Sequence, residues 1–207
     1  MKRDVLVLND SGKLALKSGD QVTEIRPANN NVVLLVDTSG SMAGAKIEQV
    51  RDGAVQFAFS AADKGFQTGV LVFGDRAAVV LGPTSDRSAI KRKIRALDVG
   101  IVGGTTNLTA GLQICLKVPR LSTVVVVTDG MPNDQQSALE VATVLKATGV
   151  EILVIGTDDA DTDFLGRLAS RPDLALHVSA NQLSSSINDA SRMLSAGGIT
   201  QLPTSKR

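Results

Sequence analysis

Apolar positions along the chain follow two alternating patterns. Val32-Val33-Leu34-Leu35-Val36, Val124–Val127 and Ile152–Ile155 are unbroken apolar runs. Runs of this length without polar alternation predict central strands covered on both faces, as in a parallel sheet. The second belongs to a strand over 122–128. Gly69–Phe73 and Ala77–Leu81 flank a Gly74-Asp75-Arg76 turn and predict a hairpin, with the second segment as an antiparallel edge strand. Leu174–Val178 predicts the last strand. Between these runs the spacing is helical. Ile47, Val50, Ala54, Phe57, Ala58 and Ala61 share one helical face. Gly53 interrupts that helix at a cost of about 1 kcal/mol relative to Ala, which points to close packing there. Ile90, Ile94 and Leu97 mark a second helix, with Asp86 as its N-cap, and Leu108, Leu112 and Cys115 a third. Ala138, Val141, Ala142 and Leu145 mark a fourth, opened by Asp134 and closed by Gly149. Phe164, Leu165 and Leu168 predict a short fifth helix, and Leu183, Ile187, Ala190 and Leu194 a sixth.

Strands alternating with helices imply βαβ units. The predicted class is α/β: a doubly wound, Rossmann-like, mostly parallel six-stranded sheet with one antiparallel edge strand and helices on both faces. Residues 1–30 stand apart. Val5–Leu8, Leu14–Leu16 and Val22–Ile25 read as short strands separated by the turn signals Asn9-Asp10-Ser11-Gly12 and Ser18-Gly19-Asp20. The expected division is a β-rich extension at 1–30, an α/β domain at 31–196 and a loose tail at 197–207. The connection over 98–106 carries Gly100, Gly103 and Gly104. It can return the chain so that strand 122–128 lies on the far side of strand 32–36. A topological switch point results, and such sheets bind ligands there, at the carboxyl ends of the strands.

Composition narrows what that site can hold. The 207 residues carry 22 Lys and Arg against 21 Asp and Glu, a net charge of +1, which gives no support to nucleic-acid or membrane binding. There is one His (His177), one Cys (Cys115), no Trp and no Tyr. A thiolate zinc site and an intrachain disulfide framework lack their residues. Of the acids only Glu24, Glu48, Glu140 and Glu151 are Glu; the other seventeen are Asp, a residue of caps, turns and hard-metal sites. No signal peptide or membrane span is legible, and a cytoplasmic location is expected.

Both central strands run into an acid. Strand 32–36 leads into Asp37-Thr38-Ser39-Gly40-Ser41, and strand 122–128 into Asp129-Gly130. The return loop delivers Gly103-Gly104-Thr105-Thr106-Asn107-Leu108 to the same edge. Two carboxylates and several hydroxyls with room for water suit Mg2+, which takes near-octahedral oxygen ligands.

These three segments, in this order and each at a strand end, resemble the von Willebrand factor type A domain and its metal-ion-dependent adhesion site. The resemblance covers about residues 30–196. It implies a metal site of Asp37, Ser39, Ser41, Thr106 and Asp129, with Ser39 and Ser41 as direct hydroxyl ligands and Mg2+ as the ion (Mn2+ or Ca2+ as alternatives). The family's threonine lies five residues before a Gly-hydrophobe pair, here Gly111-Leu112. Thr106 is therefore the match and Thr105 the fallback. In this family a partner's Asp or Glu often completes the metal shell, so the resemblance implies a protein partner that donates a carboxylate. Bacterial intracellular members often work beside MoxR-type AAA+ ATPases or beside kinase and phosphatase partners.

Other motifs carry less. Asp158-Asp159-Ala160-Asp161-Thr162-Asp163 alternates like a calcium loop, but Phe164 stands where Gly is needed and Ser170 where the bidentate Glu belongs. Helix capping is the expected role. Lys91-Arg92-Lys93 and Arg95 fit the solvent face of their helix. Cys115 is expected to be a buried thiol, and His177 to pack in the core or its rim. Nucleotide-binding glycine motifs and a nucleophile elbow are missing. A Mg2+-dependent phosphatase with Asp37 as nucleophile is the rival reading. That chemistry wants a second Asp two residues on, where Ser39 stands. A structural subunit whose metal staples three loops is the other alternative. No catalytic role is expected.

Overall fold

The computed structural model describes residues 5–8, 14–18, 21–24, 30–157, 160–195 and 198–199. Val32–Val36 belongs to β4 (Asn31–Asp37), whose seven residues are all buried. It pairs in parallel with β5 (Gln67–Phe73) on one side and with β7 (Leu121–Thr128) on the other. β7 continues in parallel to β8 (Glu151–Thr157), and β8 to β9 (Ala175–Val178). β6 (Ala77–Thr84) closes the other end, antiparallel to β5. The order is β6-β5-β4-β7-β8-β9, the six-stranded, mostly parallel sheet that the apolar runs imply. β1 (Val5–Leu8), β2 (Leu14–Ser18) and β3 (Gln21–Glu24) form a separate three-stranded antiparallel sheet.

The order in which strands are added reverses at β4, with β5 on one side and β7 on the other. Right-handed crossovers then place α1 (Ala45–Asp63), between β4 and β5, and α4 (Gln135–Ala147), between β7 and β8, on opposite faces. α2 (Arg87–Arg95), α3 (Leu108–Cys115), α5 (Thr162–Leu168) and α6 (Leu183–Met193) complete the helices. The caps read from the sequence, Asp86, Asp134 and one in the 158–163 segment, are in place, and Asn107 adds one that was not read. Asp86 accepts the Ser88 and Ala89 amides, Asn107 that of Ala110, Asp134 that of Ser137, and Asp161 those of Asp163 and Phe164. Gly149 ends α4 with φ +85°. Gly53 fulfils its expectation: a Cβ there would lie 2.6 Å from the Ser184 carbonyl oxygen, so the glycine lets α1 and α6 approach.

Several expectations need correcting. β6 runs on to Thr84, past Pro83, because an edge strand can spare the N–H that proline lacks. Leu97 follows α2 instead of belonging to it, buried on a last turn closed by its amide on the Ile94 carbonyl. Leu194 leaves α6 and begins β10 (Leu194–Ser195), which pairs with β11 (Gly198–Ile199) in the segment expected to be a loose tail. Leu174 lies in a short 3-10 turn before β9. His177 is exposed, not packed, since β9 is the far edge of the sheet and turns that side to solvent. Cys115 is fully buried, and burial pushes its thiol up to about 12. Among the described residues no helix is long and apolar enough to cross a membrane.

Candidate metal centre

The carboxyl ends of β4 and β7 lie side by side, with Val36 opposite Val127. Asp37 and Asp129 follow from them and are buried to 0% and 1% exposure. Two acids so placed need partners, because an unpaired buried carboxylate is costly. Asp37 accepts the Ser39 amide on Oδ1 at 2.8 Å and the Thr128 hydroxyl on Oδ2 at 2.7 Å. Burial nevertheless pushes its carboxyl above the usual range; the hydrogen bonds from Thr128 and Ser39 oppose the rise, and the Asp129 charge adds to it. Asp129 accepts the Ser41 hydroxyl on Oδ1 at 2.8 Å and the Lys46 ammonium on Oδ2 at 2.5 Å.

The tight turn after β4 aims both serines at this pair. Residues 40–42 form a 3-10 turn, and Ser39 Oγ lies 3.1 Å from Ser41 Oγ. Ser39 is buried and Ser41 exposed, so the oxygens form a line from the interior to the surface.

The return loop closes the third side. The Gly40 amide donates to the Gly104 carbonyl at 3.2 Å, and the Gly100 amide to the Thr38 carbonyl at 2.7 Å. Thr106 is tied to the segment after β7: its carbonyl accepts the Asn133 amide at 3.0 Å. A Cβ on Gly130 would lie 3.7 Å from Thr106 Oγ1, which puts that hydroxyl beside the end of β7. Thr105 faces elsewhere. Its hydroxyl accepts from Asn133 Nδ2 at 3.3 Å, and its amide donates to Asp75 Oδ1 at 2.8 Å. The Thr105 hydroxyl and amide together hold the Asp75 carboxyl below the usual carboxylate value.

All five predicted residues thus meet at the sheet's switch point. Four further participants were not singled out by the sequence. Thr128 was legible as part of Thr128-Asp129-Gly130 but not as the hydrogen-bond donor to Asp37. Asp75 reaches from the β5–β6 turn and folds over Gly103, where φ is +103° and a Cβ would collide with its carboxyl. Asn133 braces both threonines. Lys46 sits in the first turn of α1. The acidic segment 158–163 contributes Asp161 as the cap of α5, and Asp158 and Asp159 lie outside the described residues.

The chemistry of this donor set is hard: two carboxylates and three hydroxyls, with no thiol or imidazole. Among the described residues no three His, Cys, Asp or Glu side chains gather as a metal cluster, so any ion held here relies on hydroxyls as well. The carboxylate pair already draws in one cation, the Lys46 ammonium.

The family model of the von Willebrand factor type A domain (VWA) matches residues 31–192. Matrilin-3 of Mus musculus is 28% identical over 177 residues, 77% of this chain and 35% of matrilin-3. The chain therefore spans about a third of that relative's length. The vWF domain of the type V pili tip protein Mfa5 from Porphyromonas gingivalis superposes with a TM-score of 0.71 at 13% identity, over 84% of this chain and 97% of that one. Proximal thread matrix protein 1 from the mussel byssus, in a structure with a zinc-occupied MIDAS motif, gives a TM-score of 0.67 at 25% identity, over 78% of this chain and 44% of that one. No enzymatic family is indicated by the family match or by matrilin-3. With its sheet order, its switch-point site and a match over most of its length, the chain belongs to the von Willebrand factor type A domain family.

Proposed function

We propose that this domain is a metal-dependent protein-interaction module that captures an acidic side chain of a partner through a divalent cation, Mg2+ foremost, at a metal-ion-dependent adhesion site. Asp37, Ser39, Ser41, Thr106 and Asp129 are the residues that would hold the ion. The carrying observation is the convergence of Ser39 and Ser41 with the buried Asp37–Asp129 pair. The 3.1 Å between the serine oxygens is close to the ~3.0 Å expected between neighbouring ligands ~2.1 Å from an octahedral ion. Thr106 Oγ1 lies beside Gly130 with no hydrogen bond found among the described residues, whereas Thr105 Oγ1 is engaged, which favours Thr106 as the third hydroxyl.

A bound divalent cation supplies Lewis acidity toward an anionic oxygen. The chain's own residues shape the rest. Asp37 and Asp129 only neutralise a divalent charge, so an incoming carboxylate is attracted rather than repelled. Exposed Gly40, Ser41, Gly104 and Met131 leave the approach open to a side chain from outside. The interior wall, Asp37 and Ser39, is sealed by β4 and β7. The proposed location is cytoplasmic. The proposed partner system, a MoxR-type AAA+ ATPase or a kinase and phosphatase pair, rests on the resemblance alone.

The two alternatives fare worse against the geometry. The phosphatase reading lacks its general acid: Ser39 stands where the second Asp belongs and cannot protonate a leaving group in the same way. The three loops are already joined through Gly40 to Gly104, Gly100 to Thr38 and Asn133 to Thr106, so a metal staple is not needed to assemble them.

Amide NMR tests the proposal. A glutamate-containing peptide added to Mg2+-loaded protein is expected to shift the signals of residues 38–41, 105–107 and 129–131, and to shift none of them in EDTA. Equal shifts in both conditions would overturn metal-dependent capture.

A further inference from the structure

Lys46 stands where a cation is locally unfavourable. It is the second residue of α1, and a helix N-terminus carries a partial positive charge that favours acids. Its side chain crosses the site to Asp129 Oδ2 at 2.5 Å and is 18% exposed, against 0% for the Asp129 side chain. No other ion pair or hydrogen bond of its ammonium is found among the described residues. Each oxygen of Asp129 thereby has one partner, Ser41 on Oδ1 and Lys46 on Oδ2. An ammonium has no lone pair and cannot join a metal's ligands. Its positive charge nonetheless lies 2.5 Å from a carboxylate proposed to hold the cation.

We propose that Lys46 is a tethered counter-ion: it holds the site assembled without metal and, as a like charge beside an arriving divalent cation, sets the metal concentration at which the domain becomes competent to bind. This rests on the metal-site reading above. In that role the lysine raises the threshold for occupancy without contacting the partner. A unit charge several ångströms from a divalent ion in largely aqueous surroundings changes its affinity by about tenfold.

Lys46→Met, which keeps the apolar stem, and Lys46→Gln, which keeps a polar tip, separate the two effects. Calorimetric titration of Mg2+ into metal-free protein is expected to give a Kd about tenfold lower in both variants than in the wild type. Thermal melts in EDTA are expected to move the opposite way, with a lower Tm in both, because Asp129 loses its counter-charge. Tighter metal binding joined to a less stable metal-free state is a pair of signs that simple loss of a prop does not produce. Unchanged or weaker Mg2+ binding in the variants, with the wild type binding normally, would overturn the role of Lys46 and leave the metal site standing. Absence of Mg2+ binding in the wild type would overturn both. Should the variants fail to fold, the wild-type Lys46 Cε and Nζ resonances must move in step with Mg2+ occupancy, and resonances that stay still would overturn the proposal.

Discussion

At the scale of single residues the site depends on which of two adjacent hydroxyls faces the carboxylates. Thr105 spends its amide on Asp75 and its hydroxyl on Asn133. Thr106 keeps its hydroxyl beside Gly130. Thr106→Val is therefore expected to weaken Mg2+ binding by about tenfold or more, while Thr105→Val leaves it within a few-fold. Titration of both variants by calorimetry checks this, and the reverse ranking would make Thr105 the ligand. Cys115 gives a second residue-level prediction. A fully buried thiol pushed up to about 12 carries almost no thiolate near neutrality, so it should resist iodoacetamide in native protein and react on unfolding. Four of the five proposed site residues were legible because their types and spacing are local, Asp-x-Ser-x-Ser after one apolar run and Asp-Gly after another, whereas Thr106 was assigned through the family resemblance, by its distance from Gly111-Leu112. Lys46, Asp75 and Asn133 were not legible. Each reaches its partner across a distance along the chain that only the folded topology closes, Lys46 to Asp129 and Asp75 to Thr105.

Secondary-structure elements deliver those residues, and packing sets how rigidly. α1 carries Lys46 and follows the serine turn, so its seat against α6 fixes where that turn lies. Gly53→Ala would gain about 1 kcal/mol in helix propensity, yet the new Cβ meets the Ser184 backbone. The expected net result is destabilisation by about 1–3 kcal/mol in denaturant unfolding, since overpacking against backbone cannot relax by a rotamer change. A more stable variant would contradict the close approach. Capping at the start of α4 gives a pH prediction. The Ser137 hydroxyl and amide hold the Asp134 carboxyl below its ordinary value. Its folded-state value lies below the unfolded one, so the stabilisation is complete above about pH 4 and is lost as pH falls further through the folded value. Asp134→Asn keeps a capping oxygen but removes the titration. Its Tm is therefore expected to fall less steeply than the wild type's between pH 4 and pH 2.5, and parallel curves would contradict that. Helix faces and caps were readable from the 3.6-residue spacing and the Asp positions. Element ends were not, because the spacing continues past them: Leu97 and Leu194 keep the apolar beat after their helices have stopped.

On the scale of the whole molecule the alternation of apolar runs and helical stripes was enough to predict the sheet, its antiparallel edge and its switch point. Unbroken runs occur only where both faces are covered, and β4, β7 and β8 are those strands. The same topology brings the ends of β4 and β7 together and leaves one open approach to their acids. A scaffold with five Phe, no Trp and no Tyr has few aromatic anchors for a partner, so the metal is proposed to carry much of the affinity. The most direct test is the binding of Mg2+ to metal-free protein, measured by calorimetry for the wild type, Ser39→Ala and Asp129→Ala. One ion per chain is predicted for the wild type, with affinity lowered by about a hundredfold or more in each variant. Equal binding by all three proteins would contradict a metal centre at the ends of β4 and β7.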